Sequence, residues 1–381
     1  MSDASKSAPR APRRRRSWRR FSLRCLLLFV TLFCVFAGWF GTKLREGERQ
    51  RAVVARLSEL GWKVEYDYEP DPDAARHRLI LRWDQDEPRL PAGNDDSTAP
   101  GAKWLRDWLG RDVFDHVIAA SQDTVQLGAP PPLISDTDFE LLFAFPRLNW
   151  LVIPDSALTE ASIARLTEFA NLEYLGMDEG RLNDAWLAAI GRCQSLKELA
   201  IYQDSSFASP AGLEHLGELV NLKRLALPTQ LPGHINSAVN DRVARRIAGL
   251  RKLKVLFLEN STMTDAGLKD LGNLDRLELL GLNGTPVTDR GLALLSNLKS
   301  LRELRLDGTK ITDAGLRRCA LADNLTSLSL NGTRITDAAV NCLMQFKHLR
   351  YLHLVNTALT EAAIKRLQQA LPETNIVWEK P

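Results

Sequence analysis

Apolar residues in the second half of the chain recur in a fixed pattern, LxxLxL, that returns every 24 residues. The copies with this regular spacing open at Leu253, Leu277, Leu301, Leu325 and Leu349. Within each copy, leucine alternates with polar residues at the period of two that is typical of a strand with one buried face. A short apolar stretch with helical spacing follows each time. The pattern predicts a strand–turn–helix unit that is repeated along the chain.

Two polar columns accompany the leucines. In the third position after LxxLxL stands a hydroxyl residue, which we expect to bond backbone groups of the turn. A Thr-Asp pair such as Thr312-Asp313 then precedes the helical stretch. Its oxygens can cap free N–H groups, and the acid suits the positive end of a helix. The pattern therefore predicts a helix start at each pair and gives the Asp column no catalytic role. The hydroxyl column consists of Ser261, Thr285, Thr309, Thr333 and Thr357.

These repeats resemble the bacterial leucine-rich repeat family, in the short variety that contains Thr-Asp and is related to the cysteine-containing repeats. The resemblance covers roughly Val117 to Trp378. It implies an α/β solenoid, a horseshoe with parallel strands on the concave face and short helices on the convex face. It also implies a role in recognition and no chemistry. Because one unit cannot bury its apolar face alone, we expect the repeats to stack into one cooperative body.

Insertions interrupt the earlier repeats, whose strands open at Leu148, Leu172, Leu196 and Leu222. Two extra residues fall near 204–209, and a longer insertion occupies 229–238, in the Gly- and Pro-containing stretch PTQLPGHINSA. The longer one predicts a protruding loop. Such a loop is compatible with an added contact surface, and the alternative is a tolerated surface insertion.

The N-terminal region has the charge pattern of a membrane anchor. Residues 1–24 hold nine bases and one acid, although the whole chain carries a net charge of only +3. Residues 25–42 carry no charge and would span about 27 Å as a helix, close to a hydrocarbon core of ~30 Å. The basic run therefore indicates a cytoplasmic flank rather than nucleic-acid binding or a twin-arginine signal. A cleaved signal peptide is the alternative, because Val35 and Ala37 suit the positions before a cut.

We accordingly expect a basic cytoplasmic tail at 1–24 and a single transmembrane helix of the inner membrane at 25–42, with all later residues outside the cytoplasm. Residues 43–103 predict a juxtamembrane helix that ends at Gly61, a small hairpin of Trp62–Tyr68 with His77–Trp83, and a linker. Residues 104–381 predict the leucine-rich repeat domain. Its apolar stretch WLRDWLG, at 104–110, is the predicted N-terminal cap.

Catalytic signatures are missing from the sequence, which has no GxSxG, HExxH, Walker or GxGxxG motif. The six histidines are scattered, and the five cysteines lie in the span or in repeat columns too far apart to pair. We expect the cysteines to be reduced and unreactive. The sequence therefore predicts a protein that is not an enzyme and has no cofactor, metal site or nucleic-acid partner, and it leaves the oligomeric state open.

Outward strand positions carry the remaining candidates for function. Aromatic and arginine side chains there are strong interface anchors. The alternative is that the aromatic side chains only cover one another across strands. We expect a membrane-anchored module that binds a protein or peptide partner; the alternative is a structural or self-associating envelope solenoid. Ubiquitin-ligase receptors with similar repeats are disfavoured, because no adaptor-binding domain precedes the repeats. The candidate binding residues are Trp150, Tyr174, Tyr202, Arg224, Phe257, Arg305, Tyr351 and His353.

Overall fold

The computed structural model describes residues 23–66, 117–122, 133–153, 157–177, 182–201, 208–227, 237–318 and 324–379. In these ranges a twelve-stranded sheet follows the chain order from first strand to last. The strands are β1 (Trp62–Tyr66), β2 (Val117–Gln122), β3 (Trp150–Ile153), β4 (Tyr174–Met177), β5 (Glu198–Ile201), β6 (Arg224–Ala226), β7 (Val255–Phe257), β8 (Leu279–Gly281), β9 (Glu303–Arg305), β10 (Ser327–Ser329), β11 (Tyr351–His353) and β12 (Asn375–Val377).

A long helix precedes the sheet, and a short helix or helical turn follows each strand from β2 to β11. Several of the short helices continue into 3₁₀ turns, as at Leu141–Ala144 and His215–Glu218. The helices are α1 (Leu23–Glu59), α2 (Asp136–Glu140), α3 (Glu160–Ala164), α4 (Asp184–Gly191), α5 (Pro210–Glu214), α6 (Asp241–Ile247), α7 (Asp265–Leu271), α8 (Asp289–Leu294), α9 (Asp313–Arg317), α10 (Val340–Leu343) and α11 (Glu361–Ala370).

Leucine burial confirms the predicted repeat unit. Leu301, Leu304 and Leu306 are fully buried between sheet and helices, while Glu303 and Arg305 point to the opposite face. Strands β2 to β12 pair in parallel with their neighbours. One continuous apolar core therefore runs through the stack, and the chain has the fold of a leucine-rich repeat solenoid.

Thr-Asp pairs start the helices as predicted, and they also connect the repeats. Thr312 caps α9 by accepting a hydrogen bond from the Ala314 N–H at 3.2 Å. Its own N–H and hydroxyl donate to Asp289 of the preceding repeat, at 2.8 and 2.6 Å. We call this series of inter-repeat bonds the aspartate ladder. It recurs at Asp241–Thr264, Asp265–Thr288, Asp313–Thr336 and Asp337–Thr360, and with serine at Asp184–Ser209.

The hydroxyl column is confirmed at its four threonines. Each donates to the carbonyl three residues earlier, as Thr309 does to Leu306 at 2.6 Å. Ser261 is the exception: its hydroxyl is buried and has no hydrogen-bond partner in the described part of the chain. A single bond to the local carbonyl therefore satisfies each threonine hydroxyl of this column.

At the N-terminal end the structure differs from the sequence-based expectation. One helix, α1, covers both the apolar segment and the predicted juxtamembrane helix, because no proline or cap separates them and Thr42 bonds back to the Trp39 carbonyl. After Gly61, strand β1 pairs antiparallel with β2. The predicted hairpin partner, 77–83, lies outside the described residues, as do the tail at 1–22, the predicted cap at 104–110 and the proposed domain boundary at 103–104.

Leu57 near the end of α1 is fully buried, and Val53, Val54 and Leu60 pack partly buried against the same core. In the described residues, this half of α1 and strand β1 cover the first repeat. At the other end, Ile376 and Trp378 are partly buried and pack against the same core. Both ends of the apolar stack therefore have covering elements, which a solenoid needs.

Candidate functional site

The concave face is built from two outward columns of side chains. Because the strands are in register, equivalent positions of successive repeats lie beside one another, as Trp150 does with Tyr174 and Phe257 with Gly281. Neighbouring strands are about 4.8 Å apart, so each column is a continuous surface. The concave face is apolar at its N-terminal end and becomes charged and polar towards its C-terminal end.

Two aromatic rings dominate the N-terminal part of this face. Trp150 and Tyr174 stack with centroids 3.4 Å apart and planes 3° from parallel. The Tyr174 ring lies over Gly176, where an added Cβ would come within 3.1 Å of it. Trp150 and Tyr174 are only 5% and 4% exposed, and Val152 packs with them. This aromatic stack is therefore mostly closed to a partner, in agreement with the alternative that the rings cover one another.

A second apolar cluster, which we call the central cluster, consists of Val255, Phe257 and Leu279 with Ala226 beside them. Phe257 leans over Gly281, where a Cβ would stand 2.6 Å from its ring. The three larger side chains are 7–8% exposed, so they form a shallow apolar floor. The ion pair of Arg224 with Glu198, at 3.7 Å, separates this floor from the aromatic stack.

Charged groups border the central cluster on its C-terminal side. The Arg305 guanidinium lies 5.4 Å from the Phe257 ring centroid and 2.6 Å from a carboxylate oxygen of Glu303. Glu259 is 8% exposed and accepts a hydrogen bond from the Asn283 amide at 3.2 Å. Burial raises the pKa of Glu259 to about 7, against the lowering effect of Arg305. The cluster thus combines an apolar floor, a cation and an acid that titrates near neutral pH.

Beyond these groups the concave edge is polar. Asp307 accepts hydrogen bonds from the Ser329 hydroxyl at 2.5 Å and from the Asn331 N–H at 2.8 Å. Asn331 in turn accepts from the N–H of Val355 in the next repeat, at 2.7 Å. These bonds hold the turns after successive strands in register. This second inter-repeat ladder was not predicted from the sequence.

The candidate residues of the sequence analysis separate into distinct groups. Trp150 and Tyr174 form the buried stack, Arg224 pairs with Glu198, and Phe257 and Arg305 come together at the central cluster. Half-buried Tyr351 and His353 lie on β11, several strands away. Tyr202 lies outside the described residues, as does the 229–236 part of the predicted loop. The most compact combination is therefore the central cluster with Arg224 and Arg305 on either side.

Glu259 lies just beyond the outward strand positions and was not among the candidate binding residues chosen from the sequence. It stands in the column of Asn283, Asp307 and Asn331, one residue beyond the last leucine of the strand. Glu259 has a longer side chain than the Asn and Asp residues of this column, and that difference is a signal in the sequence. The burial of Glu259 depends on how neighbouring strands pack together. The residue pattern of a single repeat does not contain that information.

The other reactive groups are dispersed. Burial raises the pKa of the Cys193 thiol to about 11, which keeps it protonated and unreactive at neutral pH. Cys34 is exposed on α1, and Cys319 lies outside the described residues. Among the described residues, no group of three or more His, Cys, Asp and Glu side chains is arranged to hold a metal ion.

Comparison with protein-family models and with curated proteins finds no match. Among solved structures, the chain is similar to an internalin from Listeria monocytogenes, with a TM-score of 0.46 and 19% sequence identity. The similarity covers 63% of this chain and 70% of the internalin chain. The repeat register, the parallel sheet and the convex helices together define this chain as a leucine-rich repeat solenoid preceded by one long apolar helix.

Proposed function

We propose that this protein is a membrane-anchored recognition module that displays its solenoid outside the cytoplasm and binds a protein or peptide through the concave face. The observation that carries the proposal is the central cluster. Apolar surface from Phe257, Val255 and Leu279 lies between Arg224 and Arg305, and apolar floors beside arginine are typical of interface centres. The proposed partner is therefore an extended segment with an apolar anchor and acidic neighbours.

The proposed membrane anchor is the N-terminal part of α1. Apolar side chains from Leu27 to Trp39 are exposed, and the helix is long and apolar enough to cross a membrane. A signal sequence near the N-terminus would meet the same criteria. The basic tail at 1–24 favours an uncleaved anchor with a cytoplasmic N-terminus. The 24-residue Thr-Asp repeats support assignment to the short bacterial variety of leucine-rich repeat, a scaffold for binding rather than catalysis.

Affinity capture from envelope extract tests the proposal, with the full chain in detergent as bait. Ala226→Arg places a long charged side chain on the central cluster without removing an existing contact. Ala362→Arg makes the same change at an exposed position of convex helix α11 and is the matched control. We expect one partner that the parent and Ala362→Arg both hold and Ala226→Arg loses. Equal capture by all three chains would refute concave-face binding.

A structural role remains the second candidate because of β12. This last strand pairs with β11 on one side, and its Val377 is 36% exposed. Exposed strand edges can pair with further strands. If the solenoid acts as a self-associating envelope element, its sedimentation will change with concentration in detergent. A Val377→Lys variant will then remain monomeric over the same range.

A further inference from the structure

The two rims of the solenoid carry opposite charge. Helices start at one rim, where the aspartate ladder and acids such as Glu160 and Glu361 lie; we call it the acidic rim. The opposite rim, which we call the basic rim, consists of the turns that enter the strands and the first residues of those strands. In the described part of the chain, bases outnumber acids there. Exposed examples are Lys223, Lys252, Lys299, Arg302, Lys347 and Arg350.

Bases of the basic rim stand directly beside one another. The N–H of Lys223 donates to the Lys197 carbonyl at 2.6 Å, and that of Lys254 donates to the Lys223 carbonyl at 2.7 Å. Three lysines thus occupy one column at the spacing of adjacent strands. Like charges in directly opposed positions destabilise a sheet. Glu173 and Glu278 pair with the outer two, at 2.5 and 2.6 Å, and leave Lys223 between them.

Several of these bases have no acidic partner in the part of the chain that the structure describes. Within the described ranges, no carboxylate pairs with Lys223, Lys299, Lys347 or Arg350. All four are exposed. A row of unpaired cations along one edge fits a surface that carries many anions rather than a single small ligand.

The course of α1 identifies which surface the basic rim faces. Trp62 lies opposite Gln122 and Tyr66 opposite Val117, so β1 begins at the acidic rim and ends at the basic rim. Gly61, with a φ of +80°, makes a tight turn between α1 and β1. Helix α1 therefore runs opposite to β1, and its earlier residues approach the basic rim.

The docked part of α1 has the length needed to cross the solenoid from rim to rim. Gly47, Gln50 and Leu57 are buried at helical spacing, whereas the side chains from Leu27 to Trp39 are exposed. Residues 43–60 extend about 27 Å, and a strand of five or six residues with its turns covers roughly 20 Å. The helix consequently leaves the solenoid at the basic rim, where its apolar segment begins.

We propose that the basic rim lies against the bilayer and binds anionic lipid headgroups, so that the repeats are held edge-on to the membrane. The proposal rests on the membrane anchoring proposed above. A basic surface near an anionic membrane is attracted within about one Debye length, ~8 Å at physiological salt. The span fixes one end of the rim at that distance. The headgroups then supply anions to bases such as Lys223, which has no carboxylate partner among the described residues.

Lysine acylation of the reconstituted full chain tests this orientation. The chain is inserted into vesicles of phosphatidylcholine alone or of phosphatidylcholine with phosphatidylglycerol in equal parts. A membrane-impermeant acylating reagent is added, and each lysine is followed by mass spectrometry. We expect Lys223 and Lys252 to react roughly fivefold more slowly in the anionic vesicles, the ratio that corresponds to the attraction of about one base. Lys310, an exposed lysine of the acidic rim, should react equally in both and serves as the internal reference.

Matched variants test the charge requirement. Lys299→Glu/Lys347→Glu reverses two bases of the basic rim, and Lys310→Glu/Arg334→Glu reverses two of the acidic rim in neighbouring repeats. Only the first pair of substitutions should abolish the protection of Lys223 and Lys252 from acylation in the anionic vesicles. In the parent chain, about 0.5 M NaCl should abolish the same protection.

Equal reactivity of these lysines in the two vesicle types would overturn headgroup binding and leave the anchor intact. If the chain floats with neither vesicle type, both the anchor and the orientation are wrong. If short duplex DNA added to the zwitterionic vesicles protects the same lysines equally well, the rim is a general polyanion surface and the lipid assignment is wrong.

Discussion

Removal of one step of the aspartate ladder should measure how strongly neighbouring repeats depend on each other. Asp289→Ala leaves the Thr312 N–H and hydroxyl without their acceptors, which lie at 2.8 and 2.6 Å in the parent. A hydrogen bond to a charged group contributes about 1.5–3 kcal/mol when buried. Because Asp289 and Thr312 are only half-buried, water replaces part of each bond. We therefore expect a loss of about 2 kcal/mol in the free energy of unfolding.

The assay is urea unfolding of the full chain in detergent, followed by far-ultraviolet circular dichroism. Asp275→Ala, at an exposed turn, is the matched control and should cost less than about 0.5 kcal/mol. A double-mutant cycle of Asp289→Ala with Thr312→Ala isolates the pair, and we expect a coupling of about 1–2 kcal/mol. A change below about 0.5 kcal/mol for Asp289→Ala, or no coupling, would mean that the ladder is not a significant connection between repeats.

Three further changes test other parts of the structure. Burial raises the pKa of Glu259 from 4.5 to about 7, so the folded state keeps a proton that the unfolded state releases. The parent therefore loses stability as pH rises from about 4.5 to 7, and the loss is complete above 7. By urea titration, Glu259→Gln should therefore be more stable than the parent by about 2 kcal/mol at pH 8 and about equal to it near pH 4. Gly281→Ala should cost about 1–3 kcal/mol by urea titration, because the Phe257 ring must move from a 2.6 Å approach. Leu57→Ala should cost about 2–5 kcal/mol and expose the chain near Gly61 to limited proteolysis. An unchanged digestion pattern would mean that α1 does not depend on this contact.

The repeat geometry was predictable because its causes are local. Leu301, Leu304 and Leu306 alternate with polar residues inside one unit, and Thr312 caps a helix that begins at the next residue. The alternation and the cap each involve residues a few positions apart, and the same pattern recurs every 24 residues. The inward columns of the earlier repeats, such as Phe139 and Leu142, were predictable from the same register.

The remaining features depend on contacts between distant residues. Asp289 and Thr312 are 23 positions apart and hydrogen-bond between repeats. The Thr-Asp motif alone indicates only a helix cap within one repeat, so the sequence does not reveal this second role. The pairing of β1 with β2 joins residues more than fifty positions apart. In the concave site, outward positions were predictable for Trp150 and Tyr174, but their near-complete burial follows from coplanar stacking, which a list of outward residues does not contain.

Site-specific photo-crosslinking of the full chain in membranes tests concave-face recognition most directly. A photoreactive residue replaces Ser327 on the concave face in one chain and Ala362 on the convex helix α11 in another. We expect Ser327 to crosslink to one discrete partner and Ala362 to none. Equal crosslinking from both faces, or from Ala362 alone, would contradict recognition through the concave face.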